Sequence, residues 1–120
     1  MVDIVSELRE EYGGTVRVIA EYDKEGFEIL YSRDEVLEEY SDENIEEIFD
    51  DLVLEELDMP HQEDLFGDMG EVQGKIRLFE EGYVAHFWPT EDEEGLLVTL
   101  DSEANPNVHN LYETAERHHD

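Results

Sequence analysis

Apolar side chains recur near the start of the chain at Ile4, Val5, Leu8 and Tyr12, the spacing of one helical face, and Asp3 stands where an N-cap belongs. Gly13-Gly14 ends that helix. The period then drops to two. In "TVRVIAEY", Val16, Val18, Ala20 and Tyr22 alternate with Arg17, Ile19 and Glu21, which predicts a strand whose apolar face carries the first four. The turn "DKEG" leads into "FEILYS", where Phe27, Ile29 and Tyr31 alternate with Glu28, Leu30 and Ser32. The two runs predict a hairpin.

Ser32 and Glu35 have capping-box spacing and predict a short helix at 33–40 bearing Val36, Leu37 and Tyr40. Ser41 or Asp42 starts the next helix, with an apolar stripe of Ile45, Ile48, Phe49, Leu52 and Leu57, and Val53 beside it. Pro60, Gly67 and Gly70 then predict a long loop or short irregular helix over 58–71. Three strands follow, "VQGKIRLF", "YVAHFW" and "LLVTL", separated by "EEG" and by Pro89 with "TEDEEG". A last helix places Val108, Leu111, Tyr112 and Ala115 on one face, with Asn107 or Asn105 as cap and Pro106 in the first turn. The expected fold is a single α+β domain over 1–120, an antiparallel five-stranded sheet flanked by helices in the order α-β-β-α-β-β-β-α.

That order resembles the roadblock/dynein light chain superfamily. The local match is best over Gly82 to Glu116, "GYVAHFWPTEDEEGLLVTLDSEANPNVHNLYETAE", which is similar to the family's two closing strands, short polar stretch and last helix. The hairpin from Thr15 to Ser32 fits too, and profilin-like and longin-like domains have similar orders. The 33–40 helix and the broken 58–71 segment depart from the family pattern. The resemblance implies a non-catalytic scaffold or regulator, commonly a homodimer, that in prokaryotes works beside small GTPases. It further implies a dimer contact made by the second helix and an edge strand at 72–79, with Tyr83, Phe87 and Trp88 as core or interface anchors.

Charge changes the picture most. The 120 residues, with one Trp, six Tyr and five Phe, suffice for one modest core. Against seven basic residues stand 36 acids, a formal charge of −29. Spread over the roughly 6,700 Å² expected for this mass, the carboxylates would lie about 14 Å apart. They repel one another when the Debye length is ~10 Å, near 0.1 M salt, and hardly at ~3 Å, near 1 M. With two lysines to five arginines and no cysteine, the composition resembles that of a haloarchaeal protein family. The charge is therefore expected to report a salt-rich cytoplasm rather than an activity. The alternative is an acidic decoy that imitates nucleic acid and occupies a protein that binds it.

The chain has no apolar run of membrane-spanning length, and "MVDIVSELREE" carries acids where a secretory signal would be basic and then apolar. A soluble, cytoplasmic protein is expected. The absence of cysteine removes disulfides, thiolate zinc sites and cysteine nucleophiles.

Candidate chemistry is sparse. His61, Glu63, Asp64, Asp68 and Glu71 crowd one segment, and hard cations favour such oxygen donors. No calcium-loop pattern accompanies them. His118 and His119 sit at a terminus, a poor place for a site. His86 is expected on the face of Val84 and Trp88, where a strand histidine is either a general base or, the favoured reading, a hydrogen-bonded, half-buried ring. His109 is expected to be exposed. No G-x-S-x-G elbow and no phosphate-cradling glycine loop occurs. No enzyme, catalytic residue, cofactor or metal site is expected, the weaker alternative being a metal-dependent enzyme built on His61 or His86.

Seven basic residues cannot furnish a broad nucleic-acid surface. Lys75, Arg77 and Phe79 share one face of the third strand, a basic and aromatic trio suited to a base or an acidic partner, or simply that strand's outer face. In "SDENIEEIFDDLVLEELD" most acids occupy the polar side of a helix, so hydration accounts for them. Val53 and Leu54 widen its apolar stripe as a partner surface would. The candidate interface is thus Val53, Leu54, Lys75, Arg77, Phe79 and Trp88, and the expected partner is a protein, with a second copy as a candidate.

Overall fold

A computed structural model describes residues 3–22, 27–33, 36, 40–70, 74–87 and 95–117, with the backbone alone for residues 27, 42, 52–60, 108 and 115–117. Helix α1 (Ile4–Tyr12) starts where Asp3 accepts the Ser6 amide at 2.7 Å, and Gly13 ends it at φ 60°, a conformation that favours glycine. Strands β1 (Val16–Tyr22) and β2 (Phe27–Ser32) form the hairpin. Helix α2 (Asp42–Leu65) opens on a capping box in which Ser41 and Asn44 bond each other's backbone amides. Then come β3 (Gly74–Leu78), β4 (Gly82–Phe87), β5 (Gly95–Asp101) and α3 (Val108–Arg117), whose start is capped by Asn107 accepting the Asn110 amide. The fold is α+β in the expected order.

All neighbouring strands are antiparallel, in the order β2-β1-β5-β4-β3. The chain enters through the β1–β2 hairpin, crosses by α2, returns as the β3–β4–β5 meander, and inserts β5 beside β1. Strands β2 and β3 are therefore the edges. Helices cover both sides of the sheet. Ile4, Leu8 and Leu111 from α1 and α3 pack with Ile19, Phe87 and Val98 on one face. On the other, Ile48 and Phe49 of α2 pack against Val18, Ala20, Tyr22 and Leu97.

Two expectations need correction. Val16 does not share a face with Val18, Ala20 and Tyr22: it packs with Ile19 in the α1–α3 layer. The cause is a bulge, since Val16 pairs with Leu100 and Val18 with Thr99, and the extra residue, Arg17, reverses the alternation. The segment 58–71 is not a loop throughout, because α2 continues through Pro60 to Leu65. Proline removes one rung of the helical ladder. The helix resumes beyond it, and the Phe66 amide still bonds the Gln62 carbonyl at 3.1 Å. A 3₁₀ turn at Gly67–Met69 follows. Of the helix expected at 33–40, the described residues show a turn in which the Val36 amide bonds the Arg33 carbonyl; residues 34, 35 and 37–39 lie outside the described residues.

Candidate functional site

Three features carry chemistry: a buried pair under α2, an open sheet edge, and a pocket between α2 and the sheet.

The buried pair is Tyr22 and His86. β5 separates β1 from β4, yet both side chains point to the α2 side, and the Tyr22 hydroxyl hydrogen-bonds His86 Nε2. Their rings lie 5.2 Å apart, and Phe49 of α2 meets the Tyr22 ring edge-on at 6.1 Å. Gly95 makes this reach available. It pairs with Tyr22 across the ladder, and a Cβ there would overlap the tyrosine ring, so the ring crosses β5 over a residue with no side chain. His86 is 2% exposed. Burial lowers its pKa to about 4, reinforced by Arg77 and opposed by Asp51, so at neutral pH the ring is uncharged. This is a buried, not a half-buried, histidine, on the face of Val84 as expected; Trp88 lies outside the described residues.

Strand β3 is the open edge. Lys75 pairs with His86 and Arg77 with Val84, and Arg77 donates to Asp51 of α2 at 2.8 Å. The side of β3 that carries the basic residues is thus the side on which α2 lies, and Arg77 reaches the helix through this pair. Lys75 is exposed. Phe79 is 51% exposed and Leu78 74%, and the Phe79 amide bonds the Gly82 carbonyl at 2.7 Å in the turn to β4. Leu65 at the end of α2 and Phe66 and Met69 just past it are also exposed. Val53 and Leu54 lie on α2 where the backbone alone is described. Phe87 is a core residue beside Tyr112, and Tyr83 packs at the border of the same layer.

The pocket has a volume of about 290 Å³. Its wall is mainly apolar, built by Val18, Ile29, Val36, Ile48, Val84 and Leu97, with Tyr40, Ile45 and Phe79 also lining it and Arg17, Thr99 and Glu81 as its polar members. The bulge in β1 is what delivers Arg17 to this side. Neither Tyr22 nor His86 lines the pocket.

Elsewhere, His61 and Asp64 are exposed on α2 and Asp68 lies in the 3₁₀ turn, while Glu71 lies outside the described residues. Among the described residues, no group of three His, Cys, Asp or Glu is placed to hold a metal ion. His109 is exposed and pairs with Glu113 one turn on at 3.0 Å; His118 and His119 lie outside the described residues. No described helix is long and apolar enough to cross a membrane. Sequence patterning missed Tyr22 as the partner of His86 and Arg17 as a pocket residue. A glycine opening an otherwise bulky strand, Gly95, was the available sign of a close approach.

The fold and these features define a small α+β domain with an antiparallel sheet covered on both faces. Residues 2–120 match the family model described as "Domain of unknown function (DUF7522)", and the chain belongs to that family. No curated protein and no solved structure matches it.

Proposed function

We propose that the domain is a non-catalytic protein-interaction module of a salt-rich cytoplasm, and that it docks through the β3 edge. The observation that carries this reading is the edge itself: among the described residues no strand pairs with the outer side of β3, and Leu78 and Phe79 stand exposed at its end. An unpaired edge offers a row of backbone donors and acceptors to another strand. The partner favoured by the roadblock resemblance is a second copy, with a small GTPase as the client of the pair. Light scattering in molar KCl tests self-pairing directly: a dimer is expected, reduced to monomer by Leu78→Glu, and a monodisperse monomer overturns it.

The distribution of acids favours habitat over the rival reading of a nucleic-acid decoy. Exposed acids occur on α1 (Glu10, Glu11) and α3 (Glu113) on one side of the sheet, and on α2 (Glu43, Glu46, Glu47, Asp50) on the other. A decoy needs its charges gathered on one surface to imitate phosphates. Solvation by a salt-rich medium needs them everywhere.

A further inference from the structure

We infer that the pocket between α2 and the sheet is a ligand site for a small monocarboxylate with an apolar body, the carboxylate held by Arg17. This site shares Phe79 with the β3 edge but does not depend on docking there.

The argument begins with where the arginines go. In a chain with 36 acids and seven basic residues, each cation has carboxylates in abundance. Arg33 takes Asp101 at 2.6 Å together with the Gly14 carbonyl, Arg77 takes Asp51, and Arg9 lies over the Tyr31 ring at 4.7 Å. Arg17 lines the pocket half-buried, and among the described residues it has no ion pair. A guanidinium beside apolar walls is poorly hydrated and presents a planar fork of donors that matches a carboxylate. An arriving anion therefore gains a charge-assisted, two-point hydrogen bond in a medium of lowered dielectric.

The rest of the wall sets the ligand's other end. Val18, Ile29, Val36, Ile48 and Leu97 can remove only an apolar body from water. The volume of about 290 Å³ lies at the small end of ligand pockets, which run from roughly 300 Å³ upward, and suits a medium-length acyl chain or one aromatic ring. Glu81 also lines the pocket, but it is exposed in the turn before β4, where water satisfies it. The half-buried Arg17 is thus the charge that gains most from a partner, and the ligand is an anion rather than a cation.

Octanoate is a suitable probe, titrated calorimetrically into the full chain in molar KCl, where screening suppresses the repulsion between an anion and this acidic surface. Saturable binding of octanoate is expected, with octanol and octylammonium at least about tenfold weaker, the scale of one charge-assisted hydrogen bond. Arg17→Gln is expected to bring octanoate down to the octanol level, and Glu81→Gln to leave octanoate binding equal or tighter. No saturable octanoate binding to the native chain overturns the inference, as does equal binding of the three probes, a comparison independent of whether any variant folds. Undiminished octanoate binding by a folded Arg17→Gln chain overturns it as well.

Discussion

The Tyr22 hydroxyl on β1 and the His86 imidazole on β4 hydrogen-bond one another across the intervening β5. Gly95 is the residue they pass over. A side chain there must displace the tyrosine ring, and overpacking of this kind costs about 1–3 kcal/mol. Gly95→Ala is accordingly expected to destabilise the domain by that amount. In a Tyr22→Ala background the same change should cost little, because the clashing ring is gone. Urea unfolding of the four chains of this double-mutant cycle, in molar KCl, measures the coupling. Additive costs would show that the ring does not depend on the glycine.

The same pair imposes a pH dependence. Folded His86 stays neutral down to about pH 4, whereas the imidazole of the unfolded chain takes up its proton near pH 6.5. Between these values the unfolded state binds more protons, so stability contributed by His86 is complete above about pH 6.5 and is lost as pH falls toward 4. The shift corresponds to about 3 kcal/mol. Arg77 and Lys75 reinforce the depression and Asp51 opposes it. Carboxylates titrate in the same window, so the quantity to follow is the stability difference between the native chain and His86→Gln. That difference should shrink in favour of the variant as the buffer is taken from pH 7 toward 4, and a flat difference would contradict the assignment.

The elements with strong periodicity were legible in the sequence, down to the Asp3 cap and the choice of Ser41 or Asp42 for the next, which the structure resolves to Ser41, because capping and amphipathic packing are local. What escaped is non-local or a single-residue deviation. The bulge at Arg17 turns Val16 to the opposite face from Val18, and alternation alone assumes a regular ladder. Pro60 looks like a helix end, yet one missing rung in a long helix is tolerated when the remaining rungs form. The pairing of β5 with both β1 and β4 decides that His86 meets Tyr22, and strand order is written in no short window. Arg17 shows the limit for the candidate site: that it lines the pocket without an ion pair among the described residues follows from the fold, not from its neighbours in the chain.

Tyr12 offers a stabilising change. Its hydroxyl is buried and, among the described residues, has no hydrogen-bond partner, and burial, with Glu11 adding to it, raises the phenol's pKa. A buried polar group left unsatisfied carries a penalty of about 1–3 kcal/mol. Tyr12→Phe keeps the ring and removes the penalty, so the variant should be more stable by about 1 kcal/mol in urea unfolding. A loss of stability would mean that the hydroxyl finds a partner in solution.

Salt tests the premise on which the functional reading rests. Each copy carries a formal charge of −29, and its exposed acids lie on helices covering both faces of the sheet. The folded state concentrates this charge while the unfolded chain disperses it, so the repulsion is a cost of folding that screening removes. Reducing salt from about 1 M to 0.1 M lengthens the Debye length from ~3 Å to ~10 Å. That span is enough for neighbouring carboxylates to interact. If this weakens the fold by about 2 kcal/mol, Tm falls by roughly 10 °C for a domain of this size. Differential scanning calorimetry over a KCl series should show Tm rising steadily with salt, and sulfate should raise it further by its exclusion from protein surfaces. Two copies of like charge also repel each other, so dimerisation through β3 should weaken as salt falls. A Tm independent of KCl would remove the salt-rich cytoplasm from the proposal.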